Sequence, residues 1–343
     1  MNYSVTIGIP VFQSRDYIEK TMMSALNQSF PDIEYLVVDD GSIDGSIDKI
    51  KWLQAEHPRG MNIRLLSHDH NLGVGVARNR ILSEACGRFL FFLDSDDIIE
   101  PDTIEILIEK QKKYEAEVVF GSMERIDCIG DLPVHTFSLP DIALLSENDM
   151  ATYAFKNYNT FQISICNCLM DLAFLRNTQL RFLEANYWED LVFTYEMVMK
   201  VRRAVLVSKV TYHYLCRPGS LSHYQQREQL EKDEILENIS MMSYLKRKIP
   251  FLKDRPYLPY LCYNLEMNSF YSVCHVIKNV GHIFPPIHGS ELRQFMNYPL
   301  PLLDVIQFRR KWLQNIILWL VAHLPVPLFI PVVKLMGSIK RFM

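Results

Sequence analysis

The chain has 343 residues, 49% hydrophobic and 22% charged, with 36 Lys and Arg against 40 Asp and Glu, a formal net charge of −4. That length is ample for an α/β domain with an appendage, and the absence of a concentrated basic face with interleaved aromatics excludes nucleic acid as the expected partner. Seven scattered cysteines (Cys86, Cys128, Cys166, Cys168, Cys216, Cys262, Cys274) follow no Cys-x-x-Cys spacing, so neither a disulfide framework nor a zinc site is expected.

Met1-Asn2-Tyr3-Ser4 leads almost directly into a strand, with no basic region and long apolar core of a secretory signal, so a cytoplasmic enzyme is expected. Val5 to Pro10 is a short β-rich run that stops at a proline. Asp16 to Ser29 follows with apolar residues at helical spacing (Tyr17, Ile18, Met22, Ala25, Leu26). A second apolar run, Ile33 to Val38, ends in Asp39-Asp40-Gly41-Ser42. Strand, helix and strand in this order predict parallel pairing through a right-handed crossover.

Asn71 to Arg80 is a glycine-bearing loop that runs into a helix. Arg78 stands three places after Gly75, which breaks Gly-x-Gly-x-x-Gly and leaves a poor dinucleotide fingerprint. Its glycines suit a plain turn or a close approach of backbone to phosphate, and its arginine suits a diphosphate. Phe89 to Leu93 then ends abruptly in Asp94-Ser95-Asp96-Asp97. This reads as a buried strand presenting carboxylates to solvent or to a metal ion, or as an acidic turn before a capped helix near Pro101. In open α/β sheets, ligands bind outside the carboxyl ends of the strands, where both acidic clusters would fall.

Glu189-Asp190 opens a helix-like run (Leu191, Val192, Tyr195, Met197, Val198, Val201), a position that the helix dipole alone would explain. A strand-like run, Ala204 to Val210, precedes Tyr212-His213-Tyr214-Leu215-Cys216-Arg217-Pro218-Gly219-Ser220-Leu221-Ser222. Long helical periodicity covers about Gln225 to Ile249 and about Tyr257 to Lys278, with Pro250 and Pro256 at the break, and core packing between helices is its expected role. After Asp304 there is no acid, but there are Arg309, Arg310, Lys311, Lys334, Lys340 and Arg341. Trp312 to Val333 is apolar yet interrupted by polar residues and three prolines, a poor match to a spanning helix of roughly 20 apolar residues. It reads as an amphipathic segment lying on the cytoplasmic face of a membrane, with a C-terminal helix packed on the catalytic domain or on a second subunit as the alternative.

Taken together, Ile9-Pro10-Val11-Phe12, Val38-Asp39-Asp40-Gly41-Ser42, Asn71-x-Gly73-x-x-x-Ala77-Arg78-Asn79 and Leu93-Asp94-Ser95-Asp96-Asp97 resemble the nucleotide-sugar-binding half of family 2 glycosyltransferases. The resemblance is close over residues about 3 to 105. It implies a GT-A fold, a mixed α/β sheet flanked by helices with a nucleotide-sugar half (1–105) and an acceptor half (106–222), leaving a helical extension (223–300) and the basic apolar tail (301–343).

It also implies roles. Pro10, Val11 and Phe12 would line the nucleoside pocket, and Asp40 would accept a hydrogen bond from the base, which favours uracil. Asn71, Gly73 and Arg78 would lie near the base, ribose or diphosphate. Asp94, Ser95 and Asp96 would form the Asp-x-Asp motif, with Asp96 on Mn2+ or Mg2+ and Asp94 on ribose or acting through water. Asp97 is expected to cap the next helix. Asp190 would be the general base, with Glu189 in reserve or orienting the acceptor beside Trp188. Arg217 would offer a forked donor to the diphosphate, helped by Ser220 or Ser222. His213 would be either a third metal ligand or a structural residue.

The implied reaction is inverting, metal-dependent transfer of a sugar, of the hexosyltransferase class, from a UDP-linked donor to a glycan or polyprenyl-linked saccharide. It would take place at the inner face of the cell membrane, with a homo-oligomer left open. Two rivals are a sugar-phosphate nucleotidyltransferase and a noncatalytic nucleotide-sugar-binding partner. The first needs a glycine- and lysine-rich loop after its first strand, unlike Pro10 to Arg15. The intact acidic motifs weigh against the second.

Overall fold

The computed structural model describes residues 3–127, 132–158, 164–185, 187–216 and 230–340. The chain divides into two compact units, residues 1–150 with 163–218, and residues 151–162 with 219–343.

The first unit is built on a sheet. Strands β1 (Val5–Val11), β2 (Ile33–Asp39), β3 (Ile63–Ser67) and β4 (Phe89–Phe92) pair in parallel in the order β3-β2-β1-β4. Every residue of β1, β2 and β4 is buried, as expected of parallel strands covered on both faces. Helices α1 (Ile18–Leu26), α2 (Ser46–Glu56) and α3 (Val74–Glu84) make the crossovers, and α3 packs on β1 and β2.

Beyond β4 the pairing changes. The chain continues through β5 (Ile98–Ile99), α4 (Thr103–Tyr114), β6 (Val118–Asp127), β7 (Leu132–Phe137), β8 (Ile142–Leu144), α5 (Asp149–Asn157), β9 (Cys168–Asp171), α6 (Leu172–Asn177), α7 (Glu189–Lys200) and β10 (Ala204–Cys216). The short β9 inserts antiparallel between β4 and β6, β10 runs parallel to β6, and β5 closes the order antiparallel to β10. The sheet is therefore mixed and flanked by helices, as the sequence led one to expect. The carboxyl ends of the parallel strands lie along one edge. There the backbone bonds Asp40 N to Val11 O (2.8 Å) and Leu93 N to Gly8 O (3.0 Å) extend the pairing into the acidic loops.

The second unit is helical. Its members are α8 (Lys232–Lys248), α9 (Leu258–Lys278), α10 (Gly289–Phe295), α11 (Leu302–Val305), α12 (Trp312–Ala322) and α13 (Val326–Ile339), with the short strands β11 (Leu230–Glu231) and β12 (Ile283–Phe284) paired in parallel. Helices α8, α10, α12 and α13 all pack on α9. Most of α5 belongs here, with Phe155 against Tyr257 and its carbonyl accepting from Asn264 Nδ2 at 2.8 Å. The apolar tail is two helices meeting at Pro325, and one face of each is buried through Leu318, Val321 and Ala322 and through Phe329, Val333 and Gly337. Among the described residues, no helix is long and apolar enough to cross a membrane.

Candidate active site

The edge begins where β1 ends. Phe12 is 42% exposed there. The following loop is fastened to the loop after β2: Gln13 N donates to Ser42 Oγ (3.1 Å), Ser14 N to Ser46 Oγ (2.9 Å) and Arg15 N to Asp44 Oδ2 (2.8 Å). Ser14 Oγ lies 2.6 Å from Ser95 Oγ, which ties the same loop to the acidic end of β4.

Asp40 is buried, and its carboxylate accepts from Leu72 N (3.0 Å) and Gly73 N (2.8 Å) while Oδ1 meets His68 Nδ1 at 2.7 Å. Asn71 Oδ1 accepts from Gly73 N as well. Asp40 and Asn71 thus shape the glycine loop, a task in addition to the base contact that the resemblance implies. Gly41 allows this crossing. Its φ is +77°, and a Cβ there would lie 2.7–2.9 Å from the backbone of His70 and Asn71.

Arg78, on α3, is the centre of the site. Its Nη2 donates to Asp94 Oδ1 at 2.8 Å and its Nη1 to Glu189 Oε1 at 2.5 Å. The guanidinium lies over the ring of Phe182 and is buried with Glu189, whereas Asp94 is a third exposed. One forked cation therefore binds a carboxylate from the end of β4 and another from the start of α7, a use that the fork geometry favours over a single point charge.

Two further contacts on α3 bring the start of α7 here. Asn79 clamps Phe182 from both sides, its Nδ2 donating to Phe182 O and its Oδ1 accepting from Phe182 N, each at 2.9 Å. A Cβ on Gly75 would stand 2.5 Å from Leu183 O, so this close approach needs a glycine. Phe182 stacks on Phe193 (4.1 Å between centroids) and meets Phe92 edge-on, which fixes the segment against the core. Trp188 then turns into α7 with a φ of +67°, a left-handed conformation that costs a non-glycine residue free energy and is held by its surroundings.

The two acids of α7 are not alike. Burial pushes the Glu189 carboxyl up to about 8, with the Asp190 charge adding and Arg78 opposing. Asp190 is also raised, first by burial and then by the charge of Asp94, again against Arg78. Its Oδ1 accepts from Leu191 N at 2.7 Å.

Asp97 departs from the expected helix cap. It is buried, and its Oδ2 accepts from Tyr212 Oη (2.6 Å) while its Oδ1 accepts from Leu215 N (2.9 Å). It thereby joins the acidic loop to β10, and the N-cap residue of α4, Asp102, makes no side-chain cap. Tyr212→Phe is expected to leave a buried carboxylate oxygen without its donor, lowering stability by about 1–3 kcal/mol. Denaturant unfolding of the variant checks this.

Comparison with known proteins identifies the family. Residues 6–176, about half of the chain, match the model of glycosyl transferase family 2. The chain belongs to glycosyl transferase family 2. It is 29% identical over 227 residues to the glycosyltransferase GlyA of Streptococcus pneumoniae, covering 64% of this chain and 31% of GlyA. It is 28% identical over 231 residues to the succinoglycan biosynthesis protein ExoO of Rhizobium meliloti, covering 66% of this chain and 65% of ExoO. The chain thus spans less than two thirds of either relative.

The fold resembles Staphylococcus aureus TarS 1-349, solved in complex with UDP-GlcNAc, with a TM-score of 0.62, 20% identity and coverage of 92% of this chain and 89% of that one. It also resembles the mannosyltransferase PcManGT of Pyrobaculum calidifontis, solved with GDP-Man and Mn2+, with a TM-score of 0.54, 15% identity and coverage of 94% and 86%. The fold is of the GT-A type.

In this family 2 chain the carboxylates fit a divalent cation of the Mg2+ or Mn2+ kind. Asp94, Asp96 and Asp97 crowd at the end of β4, and burial, then the charges of Asp96 and Asp94, push the Asp97 carboxyl well above the usual range. Hard oxygen donors from one or two carboxylates, completed by substrate phosphate, are the set such ions take. Among the described residues no three His, Cys, Asp or Glu side chains gather as a preformed metal site. The expected set Asp94, Asp96 and His213 is therefore not assembled. His213 Nε2 lies 2.6 Å from Glu100 Oε1 and Nδ1 lies 3.6 Å from Glu124 Oε2.

Arg217, Ser220 and Ser222 lie outside the described residues. Sequence reasoning quoted Asn79 and Tyr212 within motifs but gave them no task, and it passed over Phe182. The adjacent Arg78 and Asn79 at the start of one helix-like run were the available signal.

Proposed function

We propose that the chain transfers a sugar, with inversion, from a UDP-linked donor to a hydroxyl of a glycan or lipid-linked saccharide in cell-surface polysaccharide synthesis. The observation that carries this reading is the Arg78 fork, whose bonds to Asp94 and Glu189 link the Asp-x-Asp edge to the start of α7. The polysaccharide role of ExoO and the UDP-GlcNAc complex of TarS support it.

In this reading Phe12 and the loop held by Asp40 receive the nucleoside, the exposed ring of Phe12 giving apolar surface to the base. Asp96, with Asp94, would hold Mn2+ or Mg2+, which when bound supplies charge stabilisation to the departing diphosphate. Asp190 takes the proton of the acceptor hydroxyl as it attacks the anomeric carbon from the opposite face. Glu189, fixed by Arg78, orients the acceptor beside Trp188. Arg217 is assigned to the diphosphate.

A panel of nucleotide sugars, titrated calorimetrically with and without EDTA and followed by NMR of the product anomer, tests the reading. UDP-sugar binding that weakens in EDTA and a product of inverted configuration are expected. Release of pyrophosphate from a nucleoside triphosphate and a sugar phosphate would overturn it in favour of nucleotidyl transfer.

A further inference from the structure

Helices α12 and α13 each carry a second apolar face. Leu313, Ile317 and Leu320 of α12, spaced i, i+4, i+7, share one side of the helix and are 41–53% exposed. Leu328, Leu335 and Ile339 of α13, spaced i, i+7, i+11, do the same and are 55–73% exposed. The opposite faces are the ones buried in the helical unit. Since both helices pack on α9, both outer stripes face away from it. Exposed apolar stripes on two helices that touch each other mark an interaction site, because burial inside the unit is already satisfied by the inner faces.

The charges choose the occupant. Arg309, Arg310, Lys334 and Lys340 are exposed on the same segment, which holds no acid after Asp304. A second copy docked across a twofold axis would set these cations against their own copies with nothing in the segment to neutralise them. Anionic lipid headgroups would neutralise them while the stripes enter the acyl boundary. We propose that the outer face of α12 and α13 docks this unit on an anionic phospholipid bilayer. The assignment rests on this surface alone and stands apart from the transferase reading.

The full chain is floated with vesicles of phosphatidylcholine alone and of phosphatidylcholine with phosphatidylglycerol. Binding to the anionic vesicles, and at least about tenfold weaker binding to the neutral ones, is expected. Ile317→Ser with Leu335→Ser, and separately Arg309→Gln with Arg310→Gln, should each weaken vesicle binding about tenfold. Melting temperature and nucleotide-sugar affinity should not change in either variant. Failure of the unaltered chain to float with anionic vesicles overturns the proposal. So does a concentration-dependent dimer, seen by analytical ultracentrifugation, that the Ile317→Ser and Leu335→Ser changes abolish.

Discussion

Asp190→Asn is expected to cut the turnover of sugar transfer by a factor on the order of 10²–10⁴, the usual contribution of a positioned general base, while the donor binds as before. The amide keeps an oxygen to accept from Leu191 N, so the start of α7 is preserved and the lost element is the basicity of the second oxygen. In the proposed mechanism the base works only when deprotonated. Its carboxyl is raised by burial and by Asp94, so kcat/KM should fall with decreasing pH through a value above the ordinary carboxylate range of about 4. Steady-state kinetics across pH, with donor Kd measured separately, check both points. Full transfer by Asp190→Asn would sink the assignment of the base.

Arg78→Met is expected to be the most disruptive single change in the site. It removes the partner of Glu189, which is 4% exposed, and breaking a buried pair from one side costs about 3–5 kcal/mol where the remaining carboxyl is ionised. For a chain of this size that lowers Tm by on the order of 10 °C. The deficit should depend on pH in a fixed direction. The Glu189 carboxyl is raised by burial even with Arg78 present, to about 8, and without the cation it rises further.

A group raised in the folded state stabilises fully below its unfolded value, near about 4, and that contribution fades as pH climbs through the folded value. The variant should therefore be least impaired near the ordinary carboxylate value and progressively worse through about pH 8 and above. Arg78→Lys keeps the charge but loses the fork, so it should recover part of the stability and little of the activity. Thermal unfolding at several pH values measures the trend. A deficit that is flat or shrinks with rising pH would show that Glu189 is not the group left unpaired.

Much of the acidic edge was legible because its residues sit where local patterns end. The apolar runs of β1, β2 and β4 mark buried strands, and the acids that follow them fall at the carboxyl ends by the logic of a parallel sheet. The helices α8 and α9 were legible for a similar reason, since their periodicity is long and uninterrupted. What stayed hidden depends on partners far along the chain. Arg78 reads as a diphosphate contact until Glu189, 111 residues on, is found on its fork. Asp97 reads as a helix cap until Tyr212, 115 residues on, is found on its carboxylate. The strand β9 has four residues, too few for a period to declare itself, yet it is what turns the parallel sheet into a mixed one.

The tail shows the opposite difficulty. Its helices are apolar on two sides, and no pattern of hydrophobicity says which side faces the core. Only the packing on α9 separates them.

The contacts of α3 bear on how such enzymes are recombined. Gly75 lies against Leu183, Asn79 bonds Phe182 and Arg78 bonds Glu189, so α3 holds directly to the segment that leads into α7. A chimaera spliced at residue 105 to borrow another acceptor half would therefore inherit a mismatched grip. A cassette that carries residues 182–190 along with α3 keeps the two acidic edges matched, and other loops can then be varied around a preserved hub.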